Sequence, residues 1–163
     1  MLVCDFGISK LIDTDAGEMT YSKCGTVEYM APEILRAKKN KHGYDHRVDW
    51  WALGTLMYEL MIGIPPFYHH NQHKMDKMIR KKKFVYPNLE QMGLSVSDTA
   101  KDLIEKLLDK NPDTRIGSNG DVEEILSHPW FADIDRDALM TKQIKPPFVP
   151  DVKTDQEYLS ECT

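Results

Sequence analysis

Apolar positions along the chain recur mostly at helical spacing. Ala100, Leu103, Ile104, Leu107 and Leu108 follow the i, i+3, i+4, i+7, i+8 template of an amphipathic helix, with Ser97 and Asp98 placed to cap its start and Asn111-Pro112 to end it. Asp45 to Met61 is apolar on nearly every side and stops at Gly63 and Pro65-Pro66, which predicts a buried helix. Lys74 to Lys83 predicts a shorter helix with Met75, Met78 and Ile79 on its apolar side. Pro32 suits a first helical turn, so a short helix opens there and dissolves between Lys38 and Gly43; Val122 to Leu126 predicts another, stopped at His128-Pro129. Met1 to Cys4 has the length and character of an opening β-strand. Residues 13 to 26 are polar and aperiodic, a long loop of the kind that carries function. Pro146, Pro147 and Pro150 mark an extended, non-helical C-terminal segment. No internal repeat is visible. The expected fold class is mainly α.

Composition narrows the classes. Of 163 residues 41% are hydrophobic and 29% charged, enough to build a core, so wholesale disorder is excluded. The net charge of −5 lacks the basic excess that binding to a phosphate backbone favours, and no nucleic-acid partner is expected. Cys4, Cys24 and Cys162 are an odd number without metal-ligand spacing, so neither a disulfide framework nor a structural metal is indicated; a reducing, cytoplasmic setting is the expectation. The longest apolar stretch, Trp50 to Ile64, is shorter than the roughly 20 residues of a membrane span and is interrupted by Thr55, Tyr58 and Glu59. Met1 to Asp5 carries no basic leader, so no targeting segment is expected.

Two short motifs change the picture through their order. Asp5-Phe6-Gly7 closes the predicted strand, a loop rich in hydroxyl residues follows, and Ala31-Pro32-Glu33 opens a helix. Each tripeptide alone is weak, but this succession is the signature pair that flanks a kinase activation loop. With Cys24-Gly25-Thr26-Val27-Glu28-Tyr29-Met30, Val48-Asp49-Trp50-Trp51 and Arg115 added, essentially the whole chain resembles a eukaryotic serine/threonine protein kinase from that second signature onward. Ser22 to Leu35, Trp50-Trp51, Pro65-Pro66-Phe67, His128-Pro129-Trp130-Phe131 and the tail Ile144 to Pro150 are similar to the AGC group. The resemblance implies a partial kinase domain over 1–131, its C-terminal lobe, and part of an AGC tail over 132–163.

The same resemblance assigns roles. Asp5 matches the oxygen ligand that holds Mg²⁺ against the phosphates of ATP. Phe6 is expected beneath a helix of the small lobe, and Cys4, where such kinases usually carry Thr, as a buried inert thiol. Ser22 matches the activation-loop phosphoacceptor, a substrate of an upstream activating kinase, and Lys10 one of the cations that would order its phosphate; Thr20 and Tyr21 are neighbouring acceptors. Thr26 matches the hydroxyl that favours serine and threonine substrates. Val27 replaces the usual proline on the surface that receives the residue after the acceptor. Glu28 and Glu59 match acidic positions that hold arginines upstream of the acceptor in protein substrates, although Glu59, set in an apolar helix, could equally belong to an internal ion pair. Asp49 is expected to anchor the catalytic-loop backbone, and Glu33 with Arg115 to form a buried structural pair.

Other signals are weaker. Arg80-Lys81-Lys82-Lys83 reads as a helix-end cation cluster and solvated face before it reads as a phosphoinositide or nucleic-acid surface. His69, His70 and His73 surround a turn without a fourth ligand, and the nine methionines read as core filler. The 163 residues contain no GxGxxG and no HRDxxxxN; His46-Arg47-Val48-Asp49 lies in the central helix and is not the catalytic loop. No catalytic aspartate is therefore expected within the chain, which is read as part of an active kinase and as inactive alone. The competing reading is a non-catalytic docking or decoy module.

Overall fold

The structure is a computed structural model, and it describes residues 4–13, 16–40 and 43–149, with side chains of 38–40 set aside. Its elements in chain order are a 3-10 turn Val27–Tyr29, α1 (Pro32–Asn40), α2 (Arg47–Ile62), α3 (Gln72–Lys81), α4 (Asp98–Leu107), α5 (Asp121–Leu126), a second 3-10 turn Pro129–Phe131, and α6 (Arg136–Met140). The chain divides into two units, Met1–Ala132 and Asp133–Thr163.

The expected mainly helical class is observed. The predicted strand covers Met1 to Val3, which lie outside the described residues, and Cys4 joins no strand. The β pairing among the described residues is a single antiparallel bridge, in which Thr20 and Tyr44 exchange two backbone hydrogen bonds of 2.9 Å.

In the first unit α2 is the hub. Its N-terminal half buries Trp51 and Gly54, and its C-terminal half Thr55, Met57, Tyr58 and Ile62. Gly54 permits the close crossing of α4, since a Cβ there would sit 2.7 Å from Leu107 Cβ. The helix stops where Gly63 adopts φ 95°, a left-handed conformation natural to glycine, and its N–H returns to the Glu59 carbonyl at 2.7 Å. Below it, Ala100, Leu103, Ile104 and Leu107 bury the face that their spacing predicted, and the Ser97 hydroxyl accepts the Ala100 N–H at 3.2 Å to cap the start. α3 begins two residues before the predicted Lys74, because Asn71 serves as its cap and accepts the Lys74 N–H at 3.0 Å. Phe67 stacks on Trp51 with centroids 5.8 Å apart, and Phe84 meets Tyr58 and Tyr86 edge to face at 5.4 and 4.8 Å, closing the core between α2 and α3. His128, 5% exposed, joins α4 to the second 3-10 turn. Its Nδ1 accepts the Trp130 N–H at 3.2 Å, so its Nε2 carries the proton and donates to Asp102 at 2.8 Å.

The second unit adds an element without a sequence expectation: Arg136–Met140 forms one helical turn, because the Asp135 carboxylate accepts the Ala138 N–H at 3.0 Å. Pro146 and Pro147 lie beyond it in non-helical backbone; Pro150 and the residues after it lie outside the described residues. Among the described residues no helix is long and apolar enough to cross a membrane.

Candidate functional site

Residues 4–13 and 16–26 fold back over the start of α2 and leave an open cleft of about 740 Å³ there. Asp5, Lys10, Ser22, Cys24, Tyr44 and Asp49 line it, so four of the predicted site residues, far apart in sequence, share one cavity. Asp5 is exposed, at φ 65°, and its Oδ1 accepts the Gly7 N–H at a long 3.4 Å, which leaves most of the carboxylate's lone pairs open to the cleft. A magnesium ion keeps several waters and takes one or two carboxylates besides phosphate oxygens, so Asp5 fits as one such ligand. Among the described residues no three His, Cys, Asp or Glu gather into a complete metal cage. Phe6 is 67% exposed. Cys4 is exposed too, which corrects the expected burial: the covering apolar neighbours that would make it inert are not present around it among the described residues.

Lys10 donates to Glu18 at 2.7 Å, and Glu18 in turn accepts the Asp13 N–H at 3.1 Å. This hydrogen bond from Lys10 is the main reason the Glu18 carboxyl lies below its ordinary pKa. Lys10 is thus held within the loop by an acid of that loop, and reaches the same cleft as Ser22. Ser22 is exposed at its side chain, while its carbonyl accepts the hydroxyl of Tyr44. The Thr20 bridge and this bond together fix the loop to the segment before α2. Burial raises the Tyr44 pKa, so the phenol stays a donor.

Asp49 opens the first turn of α2, at the mouth of the cleft. Its carboxylate makes no hydrogen bond or ion pair among the described residues. Desolvation by the surrounding wall raises its pKa, and the nearby His46 offsets part of that rise. Beside it, Arg47 is committed: its Nε lies 2.9 Å from Asp45 and its Nη1 2.7 Å from Asp113. Burial acts to raise the Asp45 pKa, but the hydrogen bonds from Arg47 outweigh it and bring the carboxyl below its ordinary value.

Thr26 precedes the 3-10 turn, and its carbonyl accepts the Tyr29 N–H at 3.1 Å. The turn packs against α2 and α3, which brings the half-buried Glu59 near Tyr29 and its neighbour, the half-buried Glu28. The Tyr29 hydroxyl donates to Glu59 Oε2. That bond, then burial, then the charges of Glu59 and Glu28 hold the Tyr29 pKa up. An internal ion pair for Glu59 is therefore not what forms: its partner is a neutral hydroxyl, and neither glutamate meets a cation among the described residues.

Glu33 at the start of α1 and Arg115 are joined by two parallel contacts, Nη1 to Oε1 at 2.7 Å and Nη2 to Oε2 at 3.1 Å. Arg115 has no exposed surface; its remaining donors go to the Arg47 carbonyl at 2.8 Å and the Asp109 carbonyl at 2.9 Å. The contacts of Arg47, Tyr29 and Tyr44 carried no sequence signal, because each joins residues more than twenty positions apart.

The protein kinase domain family matches residues 1–131. The chain belongs to that family. Among curated proteins it is similar to serine/threonine-protein kinase gad8 of Schizosaccharomyces pombe, 41% identical over 166 residues, covering 98% of the chain and 27% of the relative. It is also similar to serine/threonine-protein kinase sck2 of the same yeast, 44% identical over 93% of the chain and 22% of the relative. Serine/threonine-protein kinase YPK2/YKR2 of Saccharomyces cerevisiae is 41% identical over 98% of the chain and 23% of the relative. The chain thus spans about a quarter of the length of these relatives. The resemblance to AGC-type serine/threonine kinases, carried in the sequence by Ser22 to Leu35, Trp50-Trp51, Pro65-Pro66-Phe67, His128 to Phe131 and the tail, holds over nearly the whole chain.

Proposed function

We propose that this chain supplies the substrate floor, the activation segment and one metal ligand of an ATP- and Mg²⁺-dependent kinase that phosphorylates serine or threonine in protein substrates bearing basic residues upstream of the acceptor. The observation that carries the reading is the pair Glu28 and Glu59, whose charges both act on Tyr29 and neither of which meets a cation among the described residues. Two half-buried carboxylates, one of them held by a neutral hydroxyl, favour an incoming guanidinium, which can supply the missing charge and several donors at once.

Asp5 would hold the ion, whose chemistry is to neutralise charge on the phosphoryl group in transfer. Thr26 offers its hydroxyl beside the acceptor. Phosphate added at Ser22 by an upstream kinase would compete with Glu18 for Lys10 and draw the loop together across the cleft. Asp49, at the mouth of the cleft and without a partner among the described residues, suits backbone N–H groups of a catalytic loop. The base and the nucleotide clamp have no counterpart in the 163 residues, so the chain alone transfers no phosphate. The setting we propose is the cytoplasm.

Binding of a labelled Arg-Arg-x-x-Ser peptide to the purified chain tests the reading. Affinity is expected to fall about 10-fold when both arginines become glutamine, and to fall similarly in E28Q/E59Q, as loss of charge-assisted hydrogen bonds requires. Equal affinity for the two peptides would overturn the basic preference.

A further inference from the structure

α3 carries its charge in an ordered way. At about 100° per residue, His73, Lys74, Lys77 and Lys81 fall within one side of the helix, opposite the buried Met75 and Ile79. The three lysines are exposed and make no ion pair among the described residues, whereas Arg80, next to them in sequence, is bound to Asp76. Toward its N-terminal end this face runs into a hollow of about 220 Å³ lined by Lys23, Val27, Gln72, His73 and Asp76. Lys23 and Val27 belong to the segment leading into the 3-10 turn, so the hollow joins the lysine face to the surface proposed above as the substrate floor. The acid in the hollow, Asp76, is already neutralised by Arg80, and Lys23 makes no ion pair among the described residues.

From this we infer that the Lys74–Lys77–Lys81 face of α3, with Lys23 at its head, is a docking surface for an acidic stretch of the protein substrate, separate from the basic residues read by Glu28 and Glu59. The inference rests on the substrate-floor reading of Val27 and Glu28. Lys74 to Lys81 spans about 10 Å along the helix, which an extended stretch of three or four residues matches. A chain of net charge −5 that keeps three unpaired lysines on one helix face selects an anionic partner there. A membrane surface is disfavoured by the face itself: its exposed positions hold no aromatic or aliphatic anchor, the apolar side chains of α3 being turned inward. Single-stranded nucleic acid would want stacking rings, and the face has none but His73.

The test measures fluorescence anisotropy of the 163-residue chain with two labelled peptides, an Arg-Arg-x-x-Ser segment followed by four glutamates and the same segment followed by four glutamines. The glutamate peptide is expected to bind about 10-fold more tightly at low salt, three exposed charge contacts being modest singly and additive together. K74E/K77E/K81E should erase that difference without changing the glutamine peptide, while K142E/K145E, which moves nearly the same charge elsewhere, should leave it intact. Equal affinity of the two peptides for the wild-type chain overturns the inference. So does a difference that survives the triple reversal, or that K142E/K145E removes equally well. Binding of phosphatidylserine vesicles or of polyuridine that the triple reversal abolishes, with no preference between the peptides, would reassign the face and overturn it as well. E28Q/E59Q separates the two readings: it should weaken both peptides alike, and its failure to do so refutes the basic-residue floor while the glutamate preference still decides the docking surface.

Discussion

Arg115 and Glu33 stand 82 residues apart and meet through two parallel hydrogen bonds, inside a core that leaves the arginine no exposed surface. The pair ties the start of α1 to the turn after α4. Because Arg115 also serves two main-chain carbonyls, its side chain links three otherwise separate elements. An isolated cation here would face a large desolvation cost, and the bidentate geometry is what offsets it.

Removing one side of the pair should therefore be severe. Glu33→Ala and Arg115→Ala are each expected to lower stability by about 3–5 kcal/mol, the range for a buried charge left without its partner. Against a total of about 5–15 kcal/mol for a domain, either change would leave little margin. E33A/R115M should cost clearly less than the two losses added, since no charge then remains buried. Urea denaturation of the four proteins measures this.

The crossing of α2 and α4 depends on Gly54. Alanine in a helix interior would ordinarily gain about 0.5–1 kcal/mol over glycine. Here its methyl would lie 2.7 Å from Leu107 Cβ and 3.3 Å from Leu108 Cδ2, and Leu107 Cβ is fixed to the backbone of α4. Overpacking of this kind costs about 1–3 kcal/mol. The clash wins, and Gly54→Ala is expected to lose about 1 kcal/mol, seen as a lower urea midpoint at unchanged slope.

The hydroxyl that holds Glu59 can be tested apart from any substrate. Tyr29→Phe removes the donor and leaves a half-buried carboxylate unserved, at an expected cost of about 1.5–3 kcal/mol for a hydrogen bond to a charged group. Glu59→Gln removes the charge and should cost less. A double-mutant cycle on thermal or urea stability should return a coupling of at least about 0.5 kcal/mol. Strict additivity of Y29F and E59Q would show that the bond contributes nothing.

Local signals in the sequence translated well. The spacing of Ala100, Leu103, Ile104 and Leu107, the Ser97 cap and the Gly63 stop each depend on residues within one or two helical turns, and each stands in the structure as read. The start of α3 was read two residues late because a cap at Asn71 lies before the first apolar residue of the pattern. The single turn Arg136–Met140 went unread because its apolar residues, Leu139 and Met140, stay exposed and leave no periodic stripe. The site was legible as a set of matched positions but not as an arrangement. Nothing in the string tells that Tyr29 rather than a cation meets Glu59, that Glu18 holds Lys10, or that Cys4 is exposed. Those relations depend on tertiary packing, to which periodicity is blind.

Lys110 makes such a relation measurable through pH. Its Nζ lies 4.1 Å from the Phe67 ring centre and 5.2 Å from that of Trp51, and hydrogen-bonds to the Ile79 carbonyl at 2.5 Å. Burial first, then the charges of Arg36 and Arg115, push its pKa from 10.5 down to about 8. The two rings and the carbonyl favour the cation and work against that fall. Below about pH 8 the lysine is charged in both states, and the folded state bears the whole penalty. Between about 8 and 10.5 the folded state has released the proton while the unfolded chain still holds it; the unfolded state binds more protons, so this group makes stability rise with pH. The gain is expected to be roughly 1–3 kcal/mol at about 1.4 kcal/mol per unit. Lys110→Met keeps the stem against the rings and has nothing to titrate. The difference in unfolding free energy between wild type and K110M should therefore shift in favour of wild type as pH goes from 7.5 to 10; a difference that stays flat, or moves the other way, would show that the rings and the carbonyl outweigh burial.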